Sequence, residues 1–170
     1  MLHIGDSFAG ALGVELGRQL EQRDITSILR YETATYIPTW AWSPKLDTYL
    51  NRYKPDLVVI TLGGNELQVP DPEDRIRNIK KLIGRLRGTP CVWVAIPLWE
   101  GAKPRMIDVI RDNSAPCAFM DTNALIPEMA RAKDKIHPSM SAREQWARVA
   151  VNWLLQHRSP SGGRPWAIKQ

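Results

Sequence analysis

Residues 55–64 read PDLVVITLGG, an unbroken apolar and β-branched run from Leu57 to Leu62 set between a proline and a glycine pair. A strand with one wet face alternates apolar and polar side chains. A continuous run of this length is expected of a strand covered on both faces, as at the centre of a parallel sheet with helices above and below.

The rest of the chain fits that sheet. CVWVAIP from Cys91 repeats the buried-strand pattern, and shorter strands are expected at residues 1–4, at 26–31 and in CAFMD at 117–121. Between them lie helical stripes. Leu12, Leu16 and Leu20 recur at helical spacing in residues 9–22, and Ser43-Pro44 starts a second helix that runs to about Tyr53. Asp71-Pro72 opens a third helix, with Ile76, Ile79, Ile83 and Leu86 on one side and Gly88 just past its end. Residues 104–112 read as a fourth. Ser141 with Glu144 forms a capping-box pattern ahead of a closing helix striped by Trp146, Val149, Trp153 and Leu154. Alternating strands and helices predict an α/β fold, a three-layer αβα sandwich with about five parallel strands. A chain of 170 residues suits one such domain. Its expected extent is residues 1–157, with the Ser-, Pro- and Gly-rich stretch 158–170 a loosely ordered tail or a strap across the surface.

Charge and cysteine usage narrow the function classes. The formal net charge is +5, but the 23 Lys and Arg are spread over several helices without a dense block, so no nucleic-acid partner is expected. No apolar run approaches the ~20 residues of a membrane span. Two cysteines, Cys91 and Cys117, are too few for a zinc motif, and no metal is expected. Met1 leads directly into the first strand with no secretory signal ahead of it. The expected location is the cytoplasm if residue 1 is the native start, and secreted or periplasmic if the chain was trimmed.

In open parallel sheets the chemistry gathers at the carboxyl ends of the strands, where strand order reverses. Ser7 follows the first strand, Asn65 follows the central one, and Asp134 and His137 fall in the loop before the closing helix. Acyl transfer needs these parts. A serine hydroxyl becomes a useful nucleophile when an imidazole takes its proton, and a carboxylate holds that imidazole in one tautomer. The developing oxyanion needs donors in place, here the Ser7 N–H and the Asn65 amide. Each motif alone is weak, since Gly5-Asp6-Ser7 is an ordinary strand-ending turn and an acid near a histidine in a loop usually does nothing specific. Their joint placement at strand ends carries the reading.

GDSFAG near the start, Gly63-x-Asn65 after the central strand and Asp134-x-x-His137-Pro138 before the last helix together resemble the SGNH, or GDSL-like, hydrolases in order and spacing. The resemblance spans residues 1 to about 157. It implies a flavodoxin-like sandwich with strand order 2-1-3-4-5, a triad of Ser7, His137 and Asp134, and no metal or organic cofactor. The family usually adds an oxyanion glycine after its second strand, whereas YETATYIPTWAW has none. Thr33, Ala34 or Thr35 is left to supply that N–H, and Ala34 is the residue assigned here. Glu66 stands where the family commonly has aspartate.

The remaining residues sort by position. Trp40, Trp42 and Trp99 follow strand ends and are expected to bind substrate, as faces for a sugar ring or an apolar acyl chain, with plain packing under loops as the alternative. Trp93, Trp146, Trp153 and His3 read as core, and His157 as a cation suited to a helix C-terminus. Asp6 and Glu66 are expected to orient loops by hydrogen bonding. In the implied topology Cys91 and Cys117 begin neighbouring strands, close enough to consider a disulfide, which would argue for a secreted or periplasmic protein. The expected function is a serine esterase acting on short-chain esters, such as O-acetyl groups of carbohydrates. Two alternatives stand beside it: an O-acyltransferase with the same triad, and a non-catalytic carbohydrate-binding domain.

Overall fold

A computed structural model describes residues 1–160 and 165–169. Five parallel strands form one sheet in the order β2-β1-β3-β4-β5: β1 Leu2–Gly5, β2 Ile28–Tyr31, β3 Val58–Thr61, β4 Cys91–Val94 and β5 Ala118–Met120. β1 and β3 pair from Leu2 opposite Val58 to Gly5 opposite Thr61. Every residue of β1, β3 and β4 is buried, as the continuous apolar runs require, whereas β2 at the sheet edge is only partly covered.

Crossovers between parallel strands are right-handed. The step from β1 to β2 and the return across β1 to β3 run in opposite directions, so their helices fall on opposite faces. α1 (Ser7–Glu21) packs against α7 (Met140–His157), while α4 (Ile76–Gly84) packs with α2 (Ile37–Trp42) and α5 (Arg105–Asn113). α3 (Lys45–Tyr53) buries Leu46 and Leu50, and α6 (Thr122–Leu125) follows β5. The reversal point lies between β1 and β3, which carry Ser7 and Asn65 at their ends.

Several boundaries differ from expectation. α1 begins at Ser7 rather than Ala9, because the buried Asp6 caps it by accepting the Phe8 N–H at 2.8 Å. α7 is capped by Ser139 rather than Ser141: the Ser139 hydroxyl accepts from Ala142 N, two residues before the expected Ser-x-x-Glu box. IPTWAW forms α2, entered through the extended Tyr36 with Pro38 in its first turn, where a missing N–H is tolerated. Asp71-Pro72 opens a 3₁₀ turn, Pro72–Arg75, before α4.

Cys91 and Cys117 immediately precede the paired residues Val92 and Ala118, and the two sulfurs are bonded, with the Cα atoms 4.6 Å apart. The end of the chain turns back on the body. Arg158 and Ile168 form an antiparallel bridge, and Trp166 is buried beneath the Arg158 guanidinium. The remainder of the expected tail, residues 161–164 and Gln170, lies outside the described residues. Among the described residues no helix is long and apolar enough to cross a membrane.

Candidate active site

The site starts from the close approach of β1 to β3. A Cβ on Gly5 would stand 1.8 Å from the Thr61 carbonyl oxygen, so no side chain fits there. Past this point Asp6 is fully buried and uses both carboxylate oxygens. Oδ1 accepts the Phe8 N–H, and Oδ2 accepts the N–H groups of Gly63 at 3.1 Å and Gly64 at 2.9 Å. One carboxylate thus fixes both the start of α1 and the turn after β3. Gly64 is required by packing, because a Cβ on it would lie 2.5 Å from the Phe8 ring. Burial pushes the Asp6 carboxyl up to about 6, against the pull of those three N–H groups.

Ser7 is the first residue of α1, where N–H groups have no carbonyl four residues back to receive them. Its Oγ lies 2.8 Å from His137 Nε2, and His137 Nδ1 lies 2.7 Å from Asp134 Oδ2. The Asp-x-x-His spacing has a local cause. Asp134 Oδ1 accepts the N–H groups of both Ile136 and His137 at 3.0 Å, so the residue that faces the ring also closes the turn beneath it. Arg131 and Pro138 bridge at the base of this loop, and Ala132 N donates to His137 O. The His137 ring first, then the two N–H groups, hold the Asp134 carboxyl down to about 2. With Asp134 ionised the imidazole carries its proton on Nδ1. Nε2 is then the acceptor for the Ser7 hydroxyl.

Around this chain of bonds stand residues of less regular origin. The Phe8 ring lies 4.9 Å from His137 and stacks on Trp99 at 5.7 Å. Leu98, Trp99, Pro127 and Met129 line an open groove of about 520 Å³, bordered by Arg131. The Arg131 guanidinium donates to Ile136 O and to Leu98 O, joining the histidine loop to the loop after β4. Nothing in sequence pointed to Phe8 or Arg131, whose roles arise from contacts between distant loops.

Asn65 Nδ2 donates to Thr35 O at 2.8 Å and retains a second N–H. Ala34 has φ +56°, the left-handed conformation that glycine usually supplies. The segment where a glycine was missing therefore has a glycine-like backbone without one.

Two of the three tryptophans assigned to substrate lie elsewhere. Trp40 is 2% exposed and donates through Nε1 to Thr35 Oγ1, which makes it core under the loop after β2. Trp42 is exposed but lies along α4, with Nε1 on Asn78 Oδ1 and the Lys81 ammonium 3.7 Å from its ring centre. Of the three, Trp99 stacks on Phe8, whose ring in turn neighbours His137. His3 is buried with Nε2 2.9 Å from Thr61 Oγ1, and burial lowers its pKa to about 3, so it is a neutral core group. Among the described residues no cluster of His, Cys, Asp or Glu is arranged to hold a metal.

No protein-family model matches the sequence, and no curated protein does. Solved structures do match. The crystal structure of TesA superposes with a TM-score of 0.70 at 24% identity, over 89% of this chain and 95% of that one. A lipase/acylhydrolase from Enterococcus faecalis gives 0.71 at 15% identity, over 95% of this chain and 98% of that one. A lipolytic protein of the G-D-S-L family from Desulfitobacterium hafniense DCB-2 gives 0.68 at 16%, over 89% and 97%. The chain has the SGNH hydrolase fold. Strand order 2-1-3-4-5, with Ser7 and Asn65 beside the reversal point, is how that fold presents its carboxyl edge here.

Proposed function

We propose that this protein is a serine ester hydrolase with Ser7 as nucleophile, His137 as general base and acid, and Asp134 as the group that orients the imidazole. The continuous chain from Ser7 Oγ through His137 to Asp134, at 2.8 and 2.7 Å, carries the reading. Ser7 Oγ attacks the ester carbonyl carbon while His137 Nε2 takes its proton. The charge that builds on the carbonyl oxygen meets the Ser7 N–H, the free N–H of Asn65 and the Ala34 N–H. His137 then returns the proton to the leaving alcohol, and water, deprotonated by the same Nε2, releases the acid from the acyl-serine. Asp134 stays ionised throughout and stabilises the imidazolium.

The substrate class proposed is a short-chain ester, with O-acetyl groups on carbohydrates as its narrower form. Trp99 supports it by placing an aromatic face beside the site at an open groove rather than a deep tunnel. The loss of Trp40 and Trp42 from the site leaves the sugar reading on Trp99 alone. Acetate release from p-nitrophenyl acetate and from an O-acetylated oligosaccharide, each with and without free sugar, tests this. Hydrolysis of both, unaffected by free sugar, is expected. Acetyl groups recovered on the added sugar in place of free acetate would make the protein an acyltransferase instead.

A further inference from the structure

Glu66 has no part in the steps above, although it follows Asn65 directly and is fully buried. Its Oε1 accepts the N–H of Ile37, the first residue of α2, at 2.6 Å. Asn65 holds Thr35 O. Consecutive residues of one turn therefore grip the segment after β2 at two points, Thr35 and Ile37, immediately beyond the left-handed Ala34. The segment is also braced internally, since Thr35 Oγ1 donates to Glu32 O and accepts the Trp40 Nε1–H. On the other side of the turn, Asp6 holds Gly63 and Gly64.

The surroundings of Glu66 give its carboxylate little else to do. Oε2 has no hydrogen-bond partner among the described residues, and Arg75 Nε stands 3.9 Å from Oε1, outside hydrogen-bond reach. Glu66 borders a small cavity of about 130 Å³ with Glu73, Lys103 and Arg105, but Glu73 and Arg105 pair with each other. Among the described residues the side-chain hydrogen bond that ties this buried carboxylate to another segment is thus the one to Ile37 N.

We propose that Glu66 is a positioning residue for the oxyanion pocket: its reach to Ile37 N sets the Ala34 N–H toward the point that the Ser7 N–H and Asn65 also face. This rests on the ester-hydrolase reading. The length of the side chain carries the role and its charge does not. Aspartate at this position is shorter by one carbon–carbon bond, about 1.5 Å, and leaves the Ile37 N–H unmet. Glutamine keeps an acceptor oxygen at the same distance.

The test measures kcat and KM on p-nitrophenyl acetate for wild type, Glu66→Gln, Glu66→Asp and Glu66→Leu, with circular dichroism to verify folding. Glu66→Gln is expected to keep kcat within about 3-fold, because the acceptor remains. Glu66→Asp and Glu66→Leu are expected to lose about 10-fold or more in kcat with KM within about 3-fold, since the pocket stabilises the transition state rather than the bound ester. If Glu66→Leu does not fold, the contrast between Gln and Asp decides. Folded Glu66→Asp with wild-type kcat overturns the proposal, as does an equal loss in Gln and Asp, or a loss carried by KM. A wild type without esterase activity overturns the hydrolase reading beneath it.

Discussion

Asp6 Oδ2 accepts the Gly64 N–H at 2.9 Å, which joins the segment carrying Ser7 to the turn carrying Asn65. Ser7, the proposed nucleophile, and Asn65, a proposed oxyanion donor, are set relative to each other by this one buried carboxylate. In Asp6→Asn an NH₂ group replaces one acceptor and must face a backbone N–H. Loss of about 2–3 kcal/mol of stability in urea is expected, together with a fall in kcat. A variant as stable and active as wild type would remove Asp6 from this role.

Glu66 makes a contribution of definite sign to the pH dependence of stability. Burial raises its carboxyl from 4.5 to about 7, with Ile37 N–H and Arg75 opposing and the Asp6 charge adding to the rise. The folded chain therefore holds a proton that the unfolded chain releases between these values. The contribution is fully present below 4.5 and is lost as pH rises through about 7. Glu66→Gln lacks this term. Relative to wild type the variant should gain on the order of 2–3 kcal/mol between about pH 4 and about pH 8. Asp6, raised to about 6, acts in the same direction, and His3, lowered to about 3, acts in the opposite one. His3 persists unchanged in the variant, whereas Asp6 interacts with Glu66, so the difference reports Glu66 together with its coupling to Asp6. A difference that stays constant with pH would contradict the assignment.

Ala34 adopts φ +56°, which costs an L-residue about 1 kcal/mol that glycine does not incur. Ala34→Gly should keep the backbone and retain activity, whereas a β-branched Ala34→Val should lower both melting temperature and kcat. Retained kcat in a folded Ala34→Val would remove Ala34 from the proposed oxyanion donors.

Cys91 and Cys117 close a sequence separation of 26 residues, and neither is free. Protein prepared from an oxidising compartment should show no reactive thiols and a mass lower by about 2 Da than after reduction. Replacing both by serine should cost about 3–4 kcal/mol in denaturant unfolding. Two titratable thiols in the untreated protein would contradict the bond.

The sheet was readable because Leu57 to Leu62 and the Cys91 strand carry unbroken apolar runs, which few other folds accept. That Ser7, Asp134 and His137 meet was readable because Ser7 sits at a strand end and the other two in the loop before the last helix, and the Asp-x-x-His pair makes its bonds within one turn. Asn65 was readable as a strand-end residue, and its bond is to Thr35 O. What stayed hidden depends on contacts across the fold. IPTWAW looks like loop because its helix is six residues long and is started from outside, by Glu66 on Ile37 N. Trp40 and Trp42 follow a strand end in sequence, but one enters the core and the other lies along α4. Phe8 and Arg131 have no pattern at all, since their roles exist only once the first turn of α1, the loop after β4 and the loop before α7 meet.

Hydrolysis of p-nitrophenyl acetate by wild type and by Ser7→Ala tests the central claim most directly. The Ser7 hydroxyl 2.8 Å from His137 Nε2 predicts turnover in wild type and a loss of about 10³-fold or more in a folded Ser7→Ala. Equal rates in the two proteins would mean that Ser7 is not the nucleophile.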